Sequence, residues 1–149
     1  MKYLKAAAMI TAGLLFFFAS ANAQQEGEKA AIEKAILNYV EAFYEADTTK
    51  AYESVAKDLA KRGYFRSKDG AKHEAKMSFE QLVKLAQRWK SSQQITANSP
   101  RNITVFEILD HIATAKVEAQ WGIDYFHLAR QNGKWTIINV LWQDYPPKN

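Results

Sequence analysis

Asn132-Gly133 joins two stretches of alternating apolar and polar residues, 123–131 and 134–142. Both residues accept positive φ, which the two-residue turn of a twisted hairpin requires. The end of the chain is therefore committed to an antiparallel hairpin, and its register follows. Gln131 pairs with Lys134, and counting inward sets Leu128 opposite Ile137, Phe126 opposite Asn139 and Asp124 opposite Leu141. Side chains alternate between faces, so Asp124 and His127 point to opposite sides and cannot act as one acid–base pair. One face collects Asp124, Phe126, Leu128, Trp135, Ile137, Asn139 and Leu141. It is apolar with two isolated polar groups, and is expected to face a cavity. The other face carries Tyr125, His127, Ile138, Val140 and Trp142, too apolar for open water and suited to a homodimer formed sheet to sheet.

Upstream the period changes. Ile32, Ile36, Tyr39 and Phe43 recur at helical spacing and predict a helix over 26–46. Asp47-Thr48-Thr49 stops it and caps a short second helix over 50–57. Residues 59–66 read as extended, and Ser67-Lys68-Asp69-Gly70 as a turn. Ser78-Phe79-Glu80-Gln81 opens a third helix with Leu82, Val83, Leu85, Ala86 and Trp89 on its apolar side. Strands are expected over 103–109 and 113–121, the second with strict alternation. Three helices followed by an antiparallel sheet make an α+β domain, with the helices across one face of the sheet. A curved sheet closed in this way leaves a cone-shaped cavity, a common place for ligands.

The first residues follow the secretory pattern. Lys2 and Lys5 precede an uncharged stretch, 6–18, and Ala21-Asn22-Ala23 offers small residues for cleavage after Ala23. The apolar run is shorter than the ~20 residues that span a bilayer, so a cleaved signal sequence over 1–23 and a mature domain over 24–149 are expected. The protein would then act in the periplasm or the medium, without stable membrane insertion. Cleavage removes two lysines and lowers the formal net charge from +4 by two. With no cysteine, disulfides and thiolate metal sites are excluded. The basic run from Lys57 to Lys76 reads as a solvated face, and no nucleic-acid partner is expected. Three scattered histidines give no metal spacing, no Gly-rich phosphate loop or nucleophile motif is present, and neither metal nor cofactor is expected.

The order of elements resembles the nuclear transport factor 2-like superfamily of cone folds. The stretch 123–129 followed by 132–142 is more specific, and with Leu59-Ala60-Lys61-Arg62 and Phe43-Tyr44-Glu45-Ala46-Asp47 it resembles the lumazine-binding branch, close to the SnoaL-like proteins. A His-Pro pair common in that branch is replaced here by Ala56 and Lys57. A second resemblance, to ketosteroid isomerases, runs through Asn38-Tyr39-Val40-Glu41-Ala42 and Ile123-Asp124. It implies that their oxyanion-binding tyrosine and protonated aspartate fall on Tyr39 and Asp124, while their general base falls at Gly63 or Arg62, neither of which takes a proton from carbon.

The fold hosts isomerases, dehydratases, cyclases and non-catalytic binders, so resemblance alone assigns no activity. An apolar face with few polar groups and no base points first to a small-molecule binder for an aromatic or ring-shaped ligand. Phe43, Phe126, Trp135 and Leu141 would enclose it, Tyr39, Asp124 and Asn139 would orient it, and Arg62 could neutralise an anionic group. The alternatives are an isomerase, dehydratase or cyclase in which Tyr39 and Asp124 polarise a carbonyl, and a non-catalytic dimeric partner protein. Trp89, Trp121, Trp135 and Trp142 read as packing residues. For the export expectation, intact-mass measurement of protein recovered from the periplasm or medium should give a chain beginning at Gln24. A full-length mass in the membrane fraction would contradict it.

Overall fold

The computed structural model describes residues 2–92 and 94–146, with side chains for 23–89 and 94–146. Apart from Ala23, the side chains of the expected signal sequence lie outside this set. The elements run α1 (Lys2–Tyr44), α2 (Thr48–Ser54), β1 (Val55–Arg66), β2 (Lys72–Met77), α3 (Phe79–Ser92), β3 (Arg101–Ile108), β4 (Ile112–Ala119), β5 (Gly122–Gln131) and β6 (Lys134–Gln143). Residues 1–30 and 31–149 form two separate compact units, and everything below concerns the second. Among the described residues, no helix is long and apolar enough to cross a membrane.

Local chemistry explains the helix starts. Asp47 caps α2 by accepting a hydrogen bond from the Thr49 amide at 3.1 Å. At α3 the Ser78 amide donates to Gln81 Oε1 at 2.8 Å while the Gln81 amide donates to Ser78 Oγ at 3.3 Å, a reciprocal capping box. In α1, Ile32, Ile36, Tyr39, Val40 and Phe43 are buried, and in α3 Phe79, Leu82, Val83 and Ala86. These stripes cover one face of a six-stranded sheet in the order β2-β1-β6-β5-β4-β3. The fold is α+β, but the sheet is mixed rather than purely antiparallel, because β1 lies parallel to β6. The alternating pattern of β1 shows that it is half buried and cannot show which strand it joins. β2 was not anticipated at all, since its sequence is charged and exposed.

The hairpin forms as expected. Asn132 and Gly133 adopt φ of 52° and 77°, and Leu128 pairs with Ile137. One residue further the expected faces fail on β6. Ile138 is an extra residue, a bulge, so His127 pairs with Asn139, Phe126 with Val140 and Asp124 with Trp142. A bulge puts two residues of one strand against one of the other, which inverts the alternation beyond it. Val140 and Trp142 therefore turn inward, whereas Asn139 and Leu141 turn outward. Val140 is fully buried in the core and forms no part of an outer interface.

On β1 the inner positions are Leu59, Lys61 and Gly63. Gly63 pairs with Trp142, and a Cβ built at Gly63 would come within 1.9 Å of the indole Nε1. The Trp142 ring thus occupies the space in which a side chain at position 63 would stand. Gly63→Ala is expected to destabilise the fold by about 1–3 kcal/mol, as overpacking does, measured by chemical denaturation. In a Trp142→Ala background the same change should cost little. Equal costs in both backgrounds would contradict the close approach.

Candidate functional site

The inner face of the sheet brings a lysine, a tyrosine, an aspartate and three tryptophans together. Tyr39 and Phe43 come from successive turns of α1, Lys61 from β1, Asp124 and Phe126 from β5, and Trp142 from the end of β6. Trp121 stands in the two-residue turn between Ala119 and Gly122. That turn is pinned by Tyr44, whose hydroxyl donates to Pro100 O at 2.8 Å and accepts from the Gln120 amide at 2.7 Å. Tyr145 adds a bond to Ala119 O at 2.9 Å. Gly122, at φ 139°, passes so close to Gln143 that a Cβ would lie 2.1 Å from its carbonyl oxygen. Trp121 is thereby placed against the interior by a turn hydrogen-bonded on both sides and closely packed at Gly122.

The polar groups form one chain. Lys61 Nζ donates to Tyr39 OH, lies 3.8 Å from Asp124 Oδ1 and stands 5.1 Å from the centre of the Tyr39 ring. Trp121 Nε1 donates to Asp124 Oδ2 at 2.9 Å. Asp124 and Tyr39 are fully buried, and Lys61 is 7% exposed. Asp124 Oδ1 makes no hydrogen bond.

Burial controls the proton affinities. It raises the Asp124 carboxyl above 3.8, an effect the Lys61 ammonium and the Trp121 donor only partly offset. It lowers Lys61 below 10.5 against the opposing pull of Asp124. It raises Tyr39 well above 10.0, with the Asp124 carboxylate adding to the effect. All three shifts favour uncharged forms, as expected for a site with little water.

Beside this chain lies a cavity of about 110 Å³, walled by Phe43, Lys61, Met77, Leu85, Trp89, Trp121 and Trp142. Three of the aromatic walls, Phe43, Trp89 and Trp121, are in mutual contact. Phe43 lies 5.1 Å from Trp121 and 6.0 Å from Trp89, and Trp89 lies 5.6 Å from Trp121, ring centre to ring centre. Among the described residues of the wall, Lys61 is the titratable one. Among the described residues no group of three His, Cys, Asp or Glu side chains is placed to hold a metal ion.

The expected site residues divide into three sets. Phe43 lines the cavity. Tyr39, Asp124 and Phe126 form a buried layer behind it, with Phe126 5.2 Å from the Tyr39 ring. Trp135, Arg62, Asn139 and Leu141 lie elsewhere. Trp135 is buried at the opposite end of β6 from Trp142, near Arg130. Arg62 faces outward and pairs with Glu74 at 3.1 Å. Asn139 is turned out by the bulge and donates to Ala60 O at 2.9 Å. It lines an open groove of about 600 Å³ with Arg62. Leu141, also turned out by the bulge, is 47% exposed. Sequence reasoning missed Lys61 and the three converging tryptophans. Lys61 had a legible signal, because it shares the parity of Leu59 on a half-buried strand. The tryptophans had none, since they meet only through long-range packing.

Removing the lysine tests the electrostatics. Lys61→Met leaves Asp124 buried without its cation, and losing one partner of a buried pair costs about 3–5 kcal/mol. A carboxyl raised in the folded state stabilises fully below its unfolded value near 3.8 and loses that contribution as pH rises through the folded value. The variant should therefore lose stability steeply from acid to neutral pH, and wild type less so, by denaturant midpoints across that range. Parallel pH profiles for the two proteins would contradict the coupling.

The family model described as "Putative lumazine-binding" matches residues 27–143. No curated protein matches the chain. Among solved structures, an NTF2-like protein of unknown function from Shewanella baltica OS155 superposes with a TM-score of 0.65 at 17% identity, covering 81% of this chain and 96% of that one. One from Silicibacter pomeroyi DSS-3 gives 0.64 at 15% identity, over 81% and 98%. One from Methylobacillus flagellatus KT gives 0.61 at 23% identity, over 80% and 94%. These likenesses establish the NTF2-like fold, and with the match over most of its length the chain belongs to the family described as "Putative lumazine-binding".

Proposed function

We propose that this protein acts outside the cytoplasm as a small-molecule-binding protein and holds a small, flat, largely apolar ligand in the cavity beside Lys61. The observation that carries this reading is the wall itself, three indoles and Phe43 enclosing about 110 Å³ beside the buried Lys61. Pockets of mostly aromatic lining with few placed polar groups are the usual form of small-molecule sites. The volume sets the scale. A dry cavity of ~150 Å³ accepts benzene, so one ring fits here with a small displacement of the flexible Met77 and Leu85 walls. A two-ring pteridine would require the cavity to open further. The position on β1 that the isomerase resemblance assigns to a base lies under Trp142 at Gly63, and Arg62 faces outward. That geometry favours binding over enolisation.

We also propose that two copies associate through the outer sheet face. Its apolar patch is made by Tyr125, Leu141 and Phe106, with Phe106 stacked on Tyr125 at 6.2 Å. Tyr125→Glu should convert dimers to monomers in light scattering. A wild-type protein that is monomeric at high concentration would sink this part.

For the ligand, thermal-shift measurements with single-ring compounds should raise the wild-type melting temperature. Saturation at a hundredfold excess over Kd corresponds to about 2.7 kcal/mol. Trp121→Ala, which removes one wall, should abolish the shift. If no single-ring compound stabilises wild type, or Trp121→Ala responds equally, the cavity is not a binding site.

A further inference from the structure

We infer that the Lys61 amine is placed to condense with a small aldehyde or ketone held in the cavity, forming a Schiff base; this rests on the ligand-binding reading above. A lysine kept only as half of a structural ion pair is normally in hydrogen-bond contact with its carboxylate. Here Nζ stands 3.8 Å from Asp124 Oδ1, beyond hydrogen-bond length, and bonds instead to the Tyr39 hydroxyl. The same lysine forms part of the cavity wall, and its Nζ stands 5.7 Å from the ring of Trp142, another wall residue. Aromatic rings surround it, with Tyr39 and Trp142 centres 5.1 and 5.7 Å from Nζ. Desolvation of this kind is how lysines are made nucleophilic for carbonyl substrates. Burial does lower the Lys61 pKa.

The groups present balance the chemistry. The ammonium passes one proton to the Asp124 carboxylate, whose Oδ1 stands 3.8 Å away with no hydrogen bond of its own, leaving a neutral amine and a carboxylic acid. The nitrogen lone pair then attacks the carbonyl carbon. A C–N bond forms, the C=O π pair moves to oxygen, and that oxygen takes a proton from the nitrogen to give a carbinolamine. Asp124 returns its proton to the hydroxyl, which leaves as water while the nitrogen pair forms the C=N bond. The product is a protonated imine beside an Asp124 carboxylate, an ion pair of the same net charge as at the start. No oxidant or reductant takes part. Trp121, donating to Asp124 Oδ2 at 2.9 Å, fixes the carboxyl and leaves Oδ1 as the oxygen that exchanges the proton.

The test uses intact mature protein, benzaldehyde as the carbonyl probe and cyanoborohydride to reduce any imine to a stable benzylamine, followed by peptide mapping. At neutral pH one benzyl group is expected on Lys61, formed at least about tenfold faster than on exposed lysines such as Lys57. Lys61→Met should lose that adduct and keep the slow surface labelling. Mapping on wild type decides the matter even if the variant folds poorly. Benzyl alcohol, the same ring without a carbonyl, separates the two readings. If it stabilises wild type but benzaldehyde labels only surface lysines, the cavity binds rings and the Schiff-base inference is overturned. If neither compound acts on the protein, both readings fall.

Discussion

Lys61 occupies an inner-face position of β1 between Leu59 and Gly63, where a strand in an ordinary core would carry an apolar residue. Holding an amine there obliges the surroundings to answer it. Tyr39 accepts its hydrogen bond, Asp124 lies 3.8 Å away as the nearest opposite charge, and Trp121 steadies the carboxylate from the far side. A buried ion pair seldom adds net stability over apolar side chains of the same volume. That makes its presence more informative about what the site does than about how the fold is held. Fold stability comes instead from the apolar stripes of the helices against Ala113, Ala115, Val117, Phe126, Leu128 and Ile137.

The bulge at Ile138 links this chemistry to the sheet. Without it, Leu141 rather than Trp142 would face inward and the cavity would lose one of its three indoles. With it, Trp142 folds over Gly63 and closes the space that a side chain on β1 would otherwise fill. The absence of a side chain at position 63 and the inward turn of Trp142 are thus one feature seen from two strands. The two-residue turn carrying Trp121, fixed by Tyr44 and Tyr145, plays the same part at the end of β4.

Much of this was legible in the sequence, and the parts that were not have definite reasons. Asn132-Gly133 set the hairpin and the Leu128–Ile137 pair, because the turn chemistry is local. The faces of β5 followed correctly, so Asp124 and Phe126 were placed inward. The faces of β6 beyond Ile138 did not follow, because no residue type there announces a bulge, and Asn139 and Leu141 were assigned inward in error. Asp47 as a cap was read from a pattern spanning three residues. The parallel pairing of β1 with β6 joins segments more than seventy residues apart, and alternation within a strand carries no information on its neighbour. The cavity shares that difficulty, since Phe43, Trp89, Trp121 and Trp142 come from four separate parts of the chain.

Lys61, Tyr39 and Asp124 form one buried polar group beside an aromatic cavity, and burial rather than open water sets their charge. The most direct measurement is an NMR titration of the Lys61 side chain, labelled at Cε and assigned through Lys61→Met. A midpoint clearly below the ordinary 10.5 is expected, together with an Asp124 carboxyl carbon that stays at its upfield, protonated position above the usual aspartate range. A Lys61 that titrates with the surface lysines, beside an Asp124 ionised as in open water, would contradict the account.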